Sequence, residues 1–326
     1  KEPLPFASVW IKSKTIGTIT NAQGDFDFHI PAEFRNETLV VSMLGYNDFE
    51  SGVNLLNTDE PLHVRLESSL VLLNELVVRD SLTGGDILQH ALSRIEDNYP
   101  MEPFLMEGFY RDIKKVGGTY ISLLEAAVDI YDESYKRPRN QHKLREGVRL
   151  REVRKSIGYE NKFTSFFDQT NLLEDLLLHN TIRYRQIEER EEMYSIMKRD
   201  RDSYYNGNEI FVISYSGEYF LKIFVDKSDY SIIHLEFERD GSDNIPGRKK
   251  NMASRFTGIK KTLDFKQIDG KMYLNYISVT SKVDWYDPKT NEVKFNTELF
   301  QQLLINHVIP NTDEAISSVE KMSNYG

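Results

Sequence analysis

The sequence predicts a mainly β protein of two domains. An antiparallel β-sandwich is expected over residues 1–80, and an α+β domain with a curved antiparallel sheet and a few helices over 81–326. Three observations carry this. Short runs of alternating apolar and polar residues recur along most of the chain, separated by Gly, Asn and Asp turn signals. Aromatic residues are abundant, with 18 Tyr and 18 Phe, which suits pleated surfaces better than a helical bundle. Helical periodicity shows clearly in two stretches, 86–98 and about 163–178.

Taken in order, FASVWI (6–11) reads as a strand with Val9 and Ile11 on one face. Asn21 and Gly24 then supply a corner, because both accept a positive φ at low cost. FDFHI (26–30) alternates, with Phe26, Phe28 and Ile30 inward and Asp27 and His29 outward. TLVVSML (38–44) is a third strand, ended by Gly45-Tyr46; LHVRL (62–66) alternates again, and LNELVV (73–78) is a further apolar segment. The expected core is Val9, Ile11, Phe26, Phe28, Val41 and Leu66. A calcium loop in NAQGDFD fails the ligand spacing of the known loop.

These segments carry a family resemblance. The stretches EPLPFASVWIKSKTIGTITNAQGDFDFHIP, LVVSMLGYNDFE and VRLESSLVLLNELVV together resemble the carboxypeptidase-regulatory-like domain. Its recurring motifs are Pro-Leu-Pro-x-Ala-Ser-Val, Gly-Thr-x-Thr-(Asp/Asn)-x-x-Gly-x-Phe and Ser-x-x-Gly-Tyr. They fall here on Pro3 to Val9, Gly17 to Phe26 and Ser42 to Tyr46. LNELVV is similar to a segment that often follows this module in outer-membrane transport receptors. The resemblance covers residues 1–80 and implies a transthyretin-like sandwich without catalytic residues of its own. It also implies an exported protein, periplasmic or associated with the outer membrane of a Gram-negative envelope. Such modules usually begin with a strand ahead of Pro-Leu-Pro, which the chain starts too late to contain. With Lys1 in place of an initiator Met, the expectation is that a leader or upstream segment has been removed.

Beyond the module, RDSLTGGD (79–86) reads as a hinge. A helix follows over 86–98 with Ile87, Leu88, Ala91, Leu92 and Ile95 on one face, stopped by Pro100. FLMEGFYRDIKK and TYISLLEAAVDIYD form a hairpin about Gly117-Gly118. On its second arm Glu125 and Asp129 share a face about 13 Å apart, too far for a direct acid/base pair, and read as solvated. Residues 136–155 hold nine Lys or Arg against two Glu, and GVRLREVRKS suggests a strand with a basic face. Arg145, Arg149, Arg151 and Arg154 are the candidate contacts there, for acidic lipid, glycan or protein; a solvated or ion-paired face is the plainer reading. Phe163, Phe166, Phe167, Leu172 and Leu176 mark the most apolar helix-like segment, either core or the wall of a ligand groove.

Five strand candidates occupy 208–285, with a basic mobile loop expected at 245–251; residues 298–309 suit a helix or a final strand, and the tail after Pro310 is expected to fray. Phe211, Ile213, Phe220, Ile223, Ile233 and Leu235 are candidates for one apolar face. The helices are expected against the concave side of the sheet. The stretch 211–238 is similar to paired strands of periplasmic lipoprotein-carrier-like folds, which hold acyl chains or hydrophobic peptide.

The absence of Cys removes disulfides, thiol nucleophiles and Cys-based zinc sites. A net charge of −10 argues against a nucleic-acid partner, and no run of 18 apolar residues offers a transmembrane span. The sequence holds no Gly-x-Ser-x-Gly, His-Glu-x-x-His, phosphate-binding loop or dinucleotide fingerprint, and the seven His have no ligand spacing. No cofactor, structural metal or peptidase activity is expected. The function read from the sequence is a non-catalytic envelope binding or scaffold protein, its partner an envelope protein, glycan or lipid. The sandwich would be the docking module, with the larger domain binding the partner or an apolar ligand. The alternative is an enzyme of unrecognised class with its site in 81–326. A polar pocket with perturbed groups would favour the enzyme, and an aromatic-lined one the binder.

Overall fold

A computed structural model describes residues 2–12, 14–21, 23–57, 60–68, 81–157, 163–167, 172–187, 192–241, 244–249, 251–312 and 314–316. The LNELVV segment lies outside the described residues. The architecture is mainly β, a small N-terminal antiparallel sheet beside a large antiparallel sheet with few helices.

Strands β1 (Ser8–Ile11), β2 (Gly17–Ile19), β3 (Thr38–Ser42) and β4 (Phe49–Gly52) form the small sheet in the order β2-β1-β3-β4. Val9, Ile11 and Val41 are buried on it as expected. The corner also forms: Asn21 Oδ1 accepts from the backbone N–H of Gln23 and Asp25, both at 2.9 Å, and Gly24 sits at φ 79°.

Two expected strands form no ladder among the described residues. Residues 26–30 and 62–66 alternate in burial as the sequence requires. Yet among the described residues their backbones make no hydrogen bond. Phe26, Phe28 and Leu66 pack over β1 and β3 but remain half-buried. Alternation reports which side chains face a core; a ladder also needs a neighbouring backbone. Residues of both runs line a cavity of about 790 Å³.

The expected hinge is instead the start of a helix. In α1 (Gly84–Ser93) the Thr83 side chain accepts from Asp86 N at 3.1 Å while the Asp86 carboxylate accepts from Thr83 N at 2.8 Å, a capping box. The expected 86–98 helix breaks at Arg94 (φ −100°, ψ 12°), and α2 (Ile95–Asn98) follows.

The large sheet opens with β5 (Phe104–Val116), β6 (Thr119–Asp132) and β7 (Gly147–Ile157). The β5–β6 turn is Gly117 (φ 56°) and Gly118 (φ 81°), the left-handed pair a two-residue hairpin requires. The 163–178 segment is not one helix. A 3₁₀ turn spans Thr164–Phe166, Phe167 leaves the helical region (φ −100°, ψ 153°), and α3 runs over Leu172–Leu178. After α4 (Glu192–Ile196) come β8 (Lys198–Arg199), β9 (Ser203–Tyr205), β10 (Asn208–Ser216), β11 (Phe220–Asp226) and β12 (Ile232–Asp240).

The expected loop at 245–251 contains a strand, β13 (Asn244–Lys249), paired to β14 (Met252–Ile268). A register shift between Ile245 and Arg248 leaves Pro246-Gly247 outside the ladder, which is how an edge strand tolerates a proline. Then come β15 (Lys271–Tyr286) and β16 (Val293–Pro310), which resolves 298–309 as strand. The main path runs β7-β6-β5-β16-β15-β14-β12-β11-β10-β8. The last long strand therefore joins the N-terminal hairpin to the C-terminal meander. The tail is held for a few residues: Thr312 N donates to Pro103 O, and Ile316 is buried.

One apolar cluster includes Phe211, Ile213, Ile223, Ile233 and Leu235; Ile233 also lines the cavity beside the small sheet, and Phe220 is half-buried. Helix α1 packs on β10, α2 on β15, and α3 on β15 and β16. The small sheet docks on the opposite face. Phe6 stacks on Tyr276 at 5.6 Å, Lys266 lies 4.6 Å from the Trp10 ring, and Gly45 N donates to Tyr204 O at 3.1 Å.

Candidate functional site

Four polar or concave places merit a chemical reading, and two of them are closed. On β6, Asp132 receives Nε and Nη2 of Arg183 at 2.6 and 2.7 Å, a bidentate pair wholly removed from solvent. Beside it the Tyr184 hydroxyl donates to Glu146. Burial, then the Asp132 charge, push the Glu146 carboxyl up to about 7, against the pull of Arg183. Asn180 Nδ2 donates to the Tyr135 hydroxyl at 3.1 Å, and Arg185 donates to backbone carbonyls of Ile182 and Tyr135. This network ties the 132–146 connection to 180–185. Such a pair specifies geometry more than it adds stability.

The second closed place is His234 on β12. Its Nδ1 lies 2.5 Å from Asp264 and its Nε2 3.2 Å from Glu236. Burial pushes the imidazole pKa down, but Asp264 and then Glu236 outweigh it and raise it to about 9. An imidazolium held at both nitrogens has no free position for taking a proton from a substrate. Among the described residues, no three of His, Asp and Glu stand where they would hold a metal ion.

Two open cavities border the large sheet. An apolar slot of about 110 Å³ lies between the 181–187 segment and the sheet, lined by Ile187, Tyr219, Leu221, Leu235, Phe237 and Lys261 among others. Tyr215, Tyr219 and Phe237 form a file of rings at 4.8 and 5.4 Å, with the Lys261 ammonium 5.4 Å over Phe237. Alternation along β11 and β12 brings Leu221, Leu235 and Phe237 to this face, and the antiparallel register sets Leu221 opposite Phe237. Nearby His179 is held neutral, its pKa pushed down to about 3 by burial and by Lys261.

The other cavity, of about 210 Å³, lies between the docked module and the large sheet. Trp10, Tyr205, Asn206, Asn208, Lys266 and Asn275 are among its lining.

The sequence-derived candidates fall elsewhere. Phe166, Phe167 and Leu176 are buried. Phe163 and Phe166 pack edge-on against Phe295, and Phe166 against Trp285. Leu172 opens α3, and its side chain lies outside the described positions. On the basic stretch Arg149 and Arg151 both reach Asp129, each at 2.6 Å, and Arg151 also reaches Glu107. Arg145 pairs with Glu133 and Arg154 with Glu152, both at 3.3 Å. The carboxylate at 129 is therefore not solvated: it is fully buried under two arginines, while Glu125 pairs with Arg111. The slot and the junction cavity had no signal in spacing, because each joins residues more than 40 positions apart.

Residues 1–78 match the family model of the CarboxypepD_reg-like domain. No curated protein matches the chain. Among solved structures, it is similar to a putative outer membrane lipoprotein-sorting protein domain from Vibrio parahaemolyticus, at 14% identity and TM-score 0.30, over 74% of this chain and 97% of that one. It is also similar to a LolA superfamily protein from Nitrosomonas europaea, at 14% identity and TM-score 0.26, over 76% of this chain and all of that one. No helix among the described residues is long and apolar enough to cross a membrane.

Proposed function

We propose that this chain, a carboxypeptidase-regulatory-like module docked on a large antiparallel sheet, is a non-catalytic binding protein of the cell envelope. Its larger sheet would take an apolar ligand in the slot beside Tyr219 and Phe237, and the module would serve for docking. The periplasm or the periplasmic side of the outer membrane is the compartment that goes with this reading.

The observation that carries it is the slot: aromatic and aliphatic walls, an arrangement suited to the end of an acyl chain. Phe163, Phe166 and Phe167 support the fold beneath rather than a groove, since two of the three are buried against neighbouring rings or core. Arg183 is paired bidentately with Asp132 and His234 is held at both ring nitrogens, which favours binding over turnover.

Titration of the whole chain with a fluorescent fatty-acid probe tests the reading. Each methylene taken from water contributes about 0.8 kcal/mol, so wild type should show saturable binding. Phe237→Asp, at a half-buried position, should abolish it while the protein stays folded. No saturable binding by wild type would remove the ligand and leave a scaffold role.

A further inference from the structure

The cavity between the module and the sheet is independent of the apolar slot, and its chemistry is different. Its one ammonium is Lys266, whose Nζ meets the Trp10 ring at 4.6 Å and a neutral acceptor, Lys14 O, at 3.4 Å. Two other partly buried lysines face carboxylates: Lys115 faces Glu298 at 3.0 Å, and Lys227 faces Asp202 and Glu209, each at 2.8 Å. Lys266 makes no ion pair among the described residues. An ammonium taken from water without a counter-charge is costly, and burial pushes its pKa down to about 8.

The rest of the lining is rich in neutral hydrogen-bonding groups. The side-chain amides of Asn206 and Asn275 make no hydrogen bond among the described residues, and Asn275 is half-buried. The two acids of the cavity are largely engaged by the turn that joins β11 to β12. Asp226 Oδ1 accepts from Ser228 N at 2.7 Å, and Asp229 Oδ1 accepts from Ser231 N at 2.8 Å. Their remaining lone pairs can accept hydroxyl protons. One ammonium without an ion pair among the described residues, the exposed amide of Asn206 and the half-buried one of Asn275, both able to donate and accept, and an indole wall together describe a ligand with one negative charge and several hydroxyls.

We infer that the junction cavity is a binding site for a small acidic saccharide, a sugar carboxylate whose charge is met by Lys266 and whose hydroxyls are met by Asn206, Asn275 and the neighbouring acids. The ligand would bridge the two sheets, since Trp10 comes from the module and Lys266 and Asn275 from β14 and β15.

Calorimetric titration of the whole chain with D-glucuronate, D-glucose and acetate tests this, with Trp fluorescence as a second readout. Glucuronate should bind saturably, and glucose and acetate more weakly. Lys266→Met should weaken glucuronate on the order of tenfold or more, as loss of a charge-assisted hydrogen bond does. Asn275→Ala should weaken glucuronate and leave acetate unchanged. Phe237→Asp, which disables the apolar slot, should leave glucuronate binding intact, so the two sites fail separately. Affinity should fall as pH rises past about 8, where Lys266 loses its proton; Asp226, Asp229 and Tyr205 are the other titratable groups lining the cavity. If Lys266→Met does not fold, Lys266→Gln takes its place. No saturable glucuronate binding, unchanged affinity in the lysine variant, or acetate binding as tightly as glucuronate would each overturn the assignment.

Discussion

His234 shows how a residue that looks incidental in sequence acquires a structural role. It sits on β12 with carboxylates on both sides, Asp264 from β14 across the ladder and Glu236 two residues along its own strand. Its folded pKa, about 9, lies above the ordinary 6.5. The folded state therefore binds this proton more tightly than the unfolded state. The resulting stabilisation is fully present below about pH 6.5 and is lost as pH rises through about 9. His234→Gln should remove that dependence: urea midpoints of wild type at pH 6 and pH 9.5 should differ by more than those of the variant. Equal pH slopes would show that the histidine is not the titrating group. Glu146 adds a slope of the same sign at lower pH. Its raised pKa means that stability falls as pH rises from the unfolded value through about 7.

Helix α1 illustrates a conflict between local preference and packing. Gly84 and Gly85 are poor helix formers, and Gly→Ala in an isolated helix would stabilise it by about 1 kcal/mol. Here a Cβ on Gly85 would lie 1.9 Å from Tyr194 O and one on Gly84 2.6 Å from the Lys198 carbonyl carbon. Gly85 lets α1 approach α4 closely and Gly84 lets it approach the start of β8, and backbone atoms cannot yield as a flexible side chain does. Gly85→Ala should therefore destabilise by about 1–3 kcal/mol, the range of an overpacked contact, measurable as a lower urea midpoint at unchanged m-value. A stabilised variant would mean that α1 shifts freely. The same stretch explains the misread hinge: Thr83, Gly84, Gly85 and Asp86 have loop composition, and the capping box that reverses the reading needs only Thr83 and Asp86 three apart.

Across the whole molecule, Phe6 stands out among the contacts that hold the small sheet on the large one. It adopts φ 62°, a left-handed conformation that costs a non-glycine residue, and its ring stacks on the otherwise covered Tyr276. Phe6→Ala removes the stack, about 1 kcal/mol. Exchange of the Gly45 amide, which donates to Tyr204 O across the junction, should speed up roughly fivefold. Amides in the centre of β15 should not change. Unaltered exchange at Gly45 would show that docking does not depend on Phe6.

What could be read from the chain was what short-range periodicity and turn chemistry encode. The hairpin at Gly117-Gly118, the strands from 208 to 286 and the burial of Val9 and Ile11 all follow from alternation over a few residues and from glycines able to take positive φ. The candidate site was much less accessible. Arg149 and Arg151 read as a basic face because the acid they cover, Asp129, comes from the neighbouring strand, and register decides whether a charge meets water or its opposite. Alternation placed Phe26, Phe28 and Leu66 toward a core, but whether their backbones join a ladder depends on which neighbour lies alongside. The Tyr219–Phe237 slot and the Lys266 cavity arise where distant segments close on one another. Which segments meet is settled by the pairing of β16 with β5 and by the docking of the module, contacts made across most of the chain's length. Local sequence specifies the energy of each segment's own conformations; the partner each face finds is set by long-range packing, and the concave sites exist only there.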